Sequence, residues 1–249
     1  MSSTRRTAVV TGVLFLVTEV AAIAGLVLYG PVLHDAGYVL GPGSDTRVFL
    51  GALCEFVLAL AVIGTGVALY PVVRRQNEGA ALGYVCGRLL EAAVILVGVI
   101  SVLSVVTLRR DSAAAGADSP SLVTAADTLV AVHDWTFLFG SNFVLGANTL
   151  VLAALMYRSR LVPRPLAVLG LVGGALICAS ATAVLFGLYA QVSDAGTLAA
   201  LPVFAWEVGL AAWLLAKGFT GPAQLPEPNT AEKWASSPER VGGHSLAPR

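Results

Sequence analysis

The sequence has little charge, since Asp, Glu, Lys and Arg make up only 12% of its 249 residues. An ordinary soluble domain carries about 25% charged residues, so this chain cannot build a water-facing surface around a core. The few charges balance, with 15 basic against 15 acidic residues, and we therefore expect no nucleic-acid partner. A hydrophobic content of 57% excludes intrinsic disorder over most of the chain.

Cysteine and the common enzyme motifs are also scarce. The three cysteines, Cys54, Cys86 and Cys178, fall inside apolar segments, where a small buried side chain is the default. No spacing of Cys and His indicates a metal site, and the sequence contains neither an HExxH motif nor a P-loop. We therefore expect no metal, no cofactor and no catalytic residue, and an enzyme is less favoured than a non-catalytic membrane protein.

Long apolar runs dominate the sequence, and its mean hydropathy is +0.81. Six runs reach the length of about 20 apolar residues that a membrane-spanning helix needs. They are apolar on all sides, which favours helices over barrel strands with their period of two. The predicted spans are Thr7–Gly30, Val48–Tyr70, Ala81–Leu108, Ala131–Tyr157, Pro165–Ala190 and Thr197–Lys217. Residues 1–217 are thus predicted to form an all-α membrane protein, a bundle of six transmembrane helices whose principal partner is the lipid bilayer.

Basic residues concentrate on one side of these spans. That side carries Arg5, Arg6, Arg74, Arg75, Arg158, Arg160, Arg164 and Lys217. The other side has Arg47 and the pair Arg109 and Arg110, which is the feature that fits least well. Because Lys and Arg are retained in cytoplasmic loops, we expect a multi-pass protein with both termini in the cytoplasm. The use of 13 Arg against 2 Lys is typical of a GC-rich bacterial genome, so we expect a bacterial inner membrane.

The last part of the chain, residues 218–249, changes character. It contains scattered charges and five prolines, Pro222, Pro226, Pro228, Pro238 and Pro248. This composition predicts a disordered cytoplasmic tail.

Five ionisable residues lie deep inside the predicted spans, where each costs about 2.5–3.5 kcal/mol to insert. Such residues usually face the interior of a bundle and mark function. They are Glu19, Glu55, Arg88, Glu91 and Glu207. If all five were ionised, their net charge would be −3 in a medium of low dielectric constant. We therefore expect at least two of the glutamates to be protonated at neutral pH, unless water or a cation reaches them.

Arg88 and Glu91 are three residues apart, which places them on one face of the third helix. Gly83 and Gly87 continue that face, so we expect a second helix to pack closely beside it. An acid of that helix, Glu55 or Glu207, would complete a buried cluster. The cluster is either a proton or cation pathway or a set of structural hydrogen bonds between helices, and the sequence favours neither.

Weaker signals lie in the fourth and fifth spans. His133 and Asp134 are adjacent, and although a His beside an Asp can relay protons, neighbours on a helix point about 100° apart. A structural or interfacial role is therefore favoured for this pair. Asn142 shares a face with Gly146 and indicates a packing contact. Gly170 and Gly174 form a GxxxG step, which is typical of close helix packing.

Several short sequence motifs follow one another in a recognisable order along the chain. They are LYPVVRR at 69–75, NE at 77–78, ALGY at 81–84, RLLEA at 88–92, YRSRLVPR at 157–164, LG at 169–170, Glu207, WL at 213–214 and KGF at 217–219. From the first helix to about Phe219, the chain resembles the bacterial integral-membrane family catalogued as domain of unknown function 4386. The resemblance implies a membrane protein and draws attention to Arg88, Glu91 and Glu207. It implies no substrate.

The functional hypothesis is a proton-linked small-molecule transporter or a permease-like protein with a pocket between the second, third and sixth helices. Arg88 would hold an anionic group or the carboxyl cluster, while Glu55, Glu91 and Glu207 would bind and release protons. The alternative is a non-catalytic sensor or assembly partner whose polar cluster is structural. A homo-oligomer is compatible with either hypothesis.

Overall fold

The computed structural model describes residues 3–35, 37–41, 45–115 and 119–220. Within these ranges the secondary structure is helical and contains no strand. The elements are α1 (Ser3–His34), a 3-10 turn (Tyr38–Leu40), α2 (Thr46–Val73), α3 (Glu78–Ala115), α4 (Ser119–Leu138), a π-helical segment (Phe139–Val144), α5 (Leu145–Ser159), α6 (Arg164–Leu185) and α7 (Asp194–Ala216). The predicted tail lies outside the described residues from residue 221 onward.

Six helical segments of the described chain are long and apolar enough to cross a membrane. They are Thr4–His34, Thr46–Val73, Glu78–Asp111, Pro120–Ser159, Arg164–Leu185 and Asp194–Ala216. Their outward faces expose many large apolar side chains, among them Val20, Leu53 and Ile100. Lipid stabilises such a surface and water does not, so the chain is an all-α, multi-pass membrane protein, as the sequence predicts.

The fourth span is the one whose limits differ most from the sequence-based expectation. Its helix starts at Ser119, whereas the apolar run predicts a start near Ala131. It comprises α4, the π-helical segment and α5 without interruption. Residues 119–130 are less apolar than the rest of the span, and they extend its helix because nothing in their sequence breaks it.

The six spans form a closed ring. Each span packs against its neighbours in sequence, and α1 packs against α7 to complete the circuit. The last contact is close at the arginine-rich end, where the Arg5 guanidinium donates to the carbonyl oxygens of Leu214 and Leu215 at 3.0 and 2.5 Å. A ring of six helices leaves space along its axis, and the functional residues are found there.

Close packing of α6 against its neighbours follows the predicted glycine pattern. A Cβ on Gly174 would lie 2.9 Å from the carbonyl oxygen of Gly146 in α5, and one on Gly170 would lie 2.7 Å from the Trp206 ring in α7. A Cβ on Gly146 would lie 2.8 Å from Ile177. These distances confirm the close contacts predicted at all three glycines.

Arg109 and Arg110, the pair that fits the charge bias least well, share a nearby carboxyl group. Asp45, just before α2, accepts from Arg109 Nη1 at 2.5 Å and from Arg110 Nε at 2.7 Å. The Tyr38 hydroxyl donates to the same carboxyl at 3.0 Å, and its ring lies 4.9 Å from the Arg109 guanidinium. We call Tyr38, Asp45, Arg109 and Arg110 the Asp45 clasp. It joins the α1–α2 connection to the end of α3.

Candidate functional site

A cavity of about 280 Å³ lies on the axis of the ring, and every one of the six spans contributes to its wall. The pocket predicted between the second, third and sixth spans is therefore part of a larger space. Most of the wall is apolar. The charged and titratable side chains that line it in the described chain are Glu19, Glu55, Arg88, Glu91, His133 and Glu207.

Arg88 is the centre of a buried network. Its Nη1 donates to Glu91 Oε2 at 3.1 Å, its Nη2 to Glu207 Oε1 at 3.3 Å, and its Nε to the Tyr84 hydroxyl at 3.0 Å. Its guanidinium lies 5.6 Å from the centroid of the Phe15 ring and 5.4 Å from that of Tyr84. Arg88 is only 2% exposed. The carboxylates of Glu91 and Glu207 accept hydrogen bonds from the guanidinium, and two aromatic rings lie against it. Arg88 therefore holds the carboxyl groups together.

A helix does pack closely beside Arg88 and Glu91, as predicted, but it is α5, which carries neither Glu55 nor Glu207. The expectation that this helix also supplies the acid is wrong, because Glu207 reaches Arg88 from α7 instead. Gly87 lets α5 approach, since a Cβ there would overlap the side chain of Asn148. The Asn148 amide donates to Glu91 Oε2 at 2.8 Å. Gly83, by contrast, has nothing within 4 Å of an added Cβ, so only part of the small-residue face is in contact. Sequence reasoning missed Asn148 as a member of this network. The feature that could have revealed it is a polar amide side chain inside an apolar span.

Glu207 of α7 is the acid that completes the Arg88 cluster. It is 6% exposed and has a further acidic neighbour on the cavity wall, Glu19 of α1. Two carboxyl groups can hydrogen-bond to each other only if at least one of them carries a proton. Glu19 and Glu207 therefore form an acid pair that can hold a shared proton at the cavity wall.

Glu55 lies apart from the Arg88 network and faces His133 instead. The Glu55 Oε1 to His133 Nε2 distance is 4.0 Å. Gly25 of α1 packs on Glu55, since an added Cβ would come within 2.9 Å of its Cγ. The Tyr29 and His133 rings are nearly perpendicular, with their centroids 5.7 Å apart. Glu55 and His133 thus form a second titratable pair on the cavity wall.

The secondary candidates Asp134 and Asn142 have different surroundings. Asp134 Oδ1 lies 3.5 Å from His133 Nδ1, but its side chain is 66% exposed and does not line the cavity. This contact does not have the geometry of a hydrogen bond, and Nδ1 has no hydrogen-bond partner among the described residues. Asn142 lines the cavity together with Ser141, and both belong to the π-helical segment. Such π-helical turns frequently occur at functional sites, and nothing in the sequence indicates this one.

The two titratable pairs lie at different depths along the bundle axis. Gly98 of α3 contacts His133 and Thr136, while Glu91 of the same helix belongs to the Arg88 network. Seven helical residues separate these points, which corresponds to about 10 Å along the axis. The cavity wall therefore presents an acid pair near the arginine-rich end and a carboxyl–imidazole pair farther from it.

The cavity also reaches the flank of the bundle between α1 and α7. Ile23 and Phe204 line it and are 54% and 41% exposed on the outside of the bundle. They lie near the middle of their helices, at the depth of the hydrocarbon core. The cavity wall there includes side chains that are partly exposed at the level of the hydrocarbon core.

The donor groups are not arranged for a metal ion. In the part of the chain that the structure describes, no three His, Cys, Asp or Glu side chains are grouped as a metal site. The three cysteines, Cys54, Cys86 and Cys178, are free thiols.

Comparison with known proteins gives a single relationship. No match was found among curated proteins or among solved structures. A family model described as Domain of unknown function (DUF4386) matches residues 10–218, which comprise nearly all of the six-span ring. The chain belongs to this DUF4386 family.

Proposed function

We propose that the protein is a proton-linked transporter or permease of a small molecule in the bacterial inner membrane, with both termini in the cytoplasm. The observation that carries the proposal is the axial cavity with titratable pairs at two depths. A proton entering at one pair reaches the other through the same space. The arginine-rich end would face the cytoplasm.

The buried groups divide into fixed and exchangeable charges. Arg88 and Glu91 neutralise each other, and Tyr84 and Asn148 complete their hydrogen bonding. Glu19 and Glu55 are less enclosed, and they lie beside Glu207 and His133 respectively. A low-dielectric wall favours a neutral total charge, so these two pairs take up or release protons when the charge of a ligand changes.

A structural role for the cluster is the competing function, and the low exposure and hydrogen-bonded partners of Arg88 favour it. A sensor or assembly partner would need the same hydrogen bonds for helix packing alone. The two functions differ in Glu55, which contributes little to the Arg88 network and should matter only if protons move.

The test is proton-coupled flux in proteoliposomes loaded with a pH-sensitive dye, with a panel of small cationic, neutral and anionic solutes supplied outside. We expect Glu55→Gln, which keeps the shape and removes the titration, to reduce proton-coupled flux to the level of empty liposomes. Glu78→Gln, at the exposed start of α3, is the matched control and should transport like the unmodified protein.

Thermal unfolding of the same samples separates transport from stability. The proposal requires Glu55→Gln to unfold within a few degrees of the unmodified protein. A large fall in stability together with unchanged flux through the folded fraction would support the structural role instead.

A further inference from the structure

We infer that the ligand of the axial cavity is a lipophilic monovalent organic cation, which exchanges with a proton held between Glu19 and Glu207. This inference rests on the proposed function and names its substrate class. It follows from the charges, the lining and the opening of the cavity.

The charge of the wall selects a cation. Four carboxyl groups face one guanidinium and one imidazole around a cavity with a mostly apolar lining. After Arg88 has neutralised Glu91, the remaining excess on the wall is acidic. A buried excess of this sign is stabilised by a proton or by a bound cation, and an anion would increase it.

Arg88 is not available to hold an anion. Two carboxylates and a phenol hydroxyl take up its Nη1, Nη2 and Nε atoms, and the rings of Phe15 and Tyr84 border its faces. An anionic ligand would have to displace one of these buried partners, and leaving a buried carboxylate unpaired is costly. The one fixed positive charge of the wall is therefore already compensated.

The lining and the opening select a lipophilic ligand. The cavity is near the lower end of the range of about 300–1,000 Å³ that is typical of small-molecule sites. Phe137 and Phe204 lie on its wall, and aromatic faces attract organic cations. Ile23 and Phe204 border the opening on the bundle flank, where a ligand enters from the hydrocarbon core rather than from water.

His133 on the cavity wall does not supply a free positive charge either. It is 4% exposed, its Nε2 lies 4.0 Å from Glu55 Oε1, and its Nδ1 lies 3.5 Å from Asp134 Oδ1. Because both ring nitrogens face carboxylates, His133, like Arg88, is not available to hold an anion.

The exchange balances without a further reactant. One proton leaves the acid pair as one cation enters, so Glu19 and Glu207 pass from a protonated to an ionised state while the total charge of the cavity is unchanged. The other charged or titratable groups around this pair are Arg88, Glu91 and Tyr84 of α3, with Glu55 of α2 and His133 of α4 at the second level. The described parts of α5 and α6 add no charged side chain to the wall.

Isothermal titration of the full-length protein in lipid nanodiscs with tetraphenylphosphonium tests the inference. Titration in two buffers of different ionisation enthalpy gives the proton count, and we expect release of about one proton per bound cation. Glu19→Gln should weaken binding about tenfold or more and abolish the proton release. Glu78→Gln should change neither quantity.

A second pair of variants tests the site without altering the acid pair. Phe204→Leu should weaken tetraphenylphosphonium binding about threefold through the lost aromatic face. Phe186→Leu, on the outer surface at the end of α6, should have no effect. Two results would overturn the inference. One is that Phe204→Leu and Glu19→Gln bind tetraphenylphosphonium as tightly as the unmodified protein does. The other is that the protein prefers the isosteric anion tetraphenylborate.

Failure of the cation inference can be distinguished from failure of the proposed transport function. Proton-coupled flux of a neutral or anionic solute that depends on Glu55 would retain the transporter and overturn the cation. Tetraphenylphosphonium binding with proton release but without flux would support the cation site and reject the transporter.

Discussion

The Asp45 clasp shows how single residues accommodate charge at the membrane surface. Burial acts to raise the pKa of Asp45, but hydrogen bonds from Arg110 and Tyr38 and the positive charges of Arg109 and Arg110 outweigh it, and the pKa is lowered from its ordinary value of 3.8. Burial and the Asp45 hydrogen bond raise the pKa of the Tyr38 hydroxyl. Both shifts favour an ionised Asp45 beside a neutral phenol at physiological pH.

The lowered pKa of Asp45 makes a prediction about stability. A depressed pKa in the folded state contributes stability that is complete above 3.8 and is lost as the pH falls through the folded value. Asp45→Asn should therefore lower the unfolding temperature at pH 7, and its difference from the unmodified protein should shrink as the pH falls below 3.8. Thermal unfolding in detergent between pH 7 and about pH 3 measures this difference.

The control for the clasp is Asp127→Asn, an exposed acid on the same side of the bundle. It should leave the unfolding temperature unchanged at both ends of the pH range. A difference between Asp45→Asn and the unmodified protein that stays constant down to pH 3 would show that the Asp45 charge does not stabilise the fold.

At the scale of elements, α6 sets the width of the ring. Its small residues face α5 on one side and α7 on the other, and close approach on both sides draws the two helices inward. Gly173 packs directly on the backbone of α7, since an added Cβ would lie 2.7 Å from the backbone nitrogen of Val203 and 2.9 Å from the carbonyl carbon of Pro202. Backbone atoms cannot turn aside as a flexible side chain can.

Gly173→Ala should therefore force α6 and α7 apart and destabilise the bundle by about 1–3 kcal/mol, the range for overpacked cores. Equilibrium unfolding in a graded series of denaturing and mild detergent measures the change. Gly83→Ala is the matched control because nothing lies within 4 Å of its added Cβ, and it should leave stability unchanged or slightly raised. Equal stability of the two variants would contradict close α6–α7 packing.

At the scale of the whole molecule, the ring has two chemically different ends. The arginine-rich end carries the α2–α3 and α5–α6 turns and the close α1–α7 contact. The other end carries the Asp45 clasp, in which one carboxylate pairs with both Arg109 and Arg110 and offsets one of their two positive charges.

Cysteine labelling in intact bacterial cells tests the proposed orientation. In a protein whose native cysteines are replaced by alanine, Val192→Cys in the exposed α6–α7 connection should react with a membrane-impermeant maleimide. Gln76→Cys in the exposed α2–α3 turn should react only after the cells are lysed. The reverse pattern would place the termini outside the cytoplasm.

Much of the architecture could be predicted because it depends on local composition. Apolar length predicts the six helices, and spacing along one helix predicts the Arg88–Glu91 pair, the faces of Gly170 and Gly174 and the contact at Gly146. The start of the fourth span was less predictable, since residues 119–130 are helical without being strongly apolar. The role of the polar residues remains a prediction.

The sequence by itself determined that this protein belongs in a membrane. It has too few charged residues to cover its helices with a water-facing surface, so lipid must surround them. Only the tertiary structure decided which buried acid reaches which partner: Glu207 rather than Glu55 joins Arg88, and Glu55 faces His133. The reason is physical. Hydropathy and helical spacing are local properties of the chain, whereas closure of the ring brings together α1, α3 and α7 from distant parts of it.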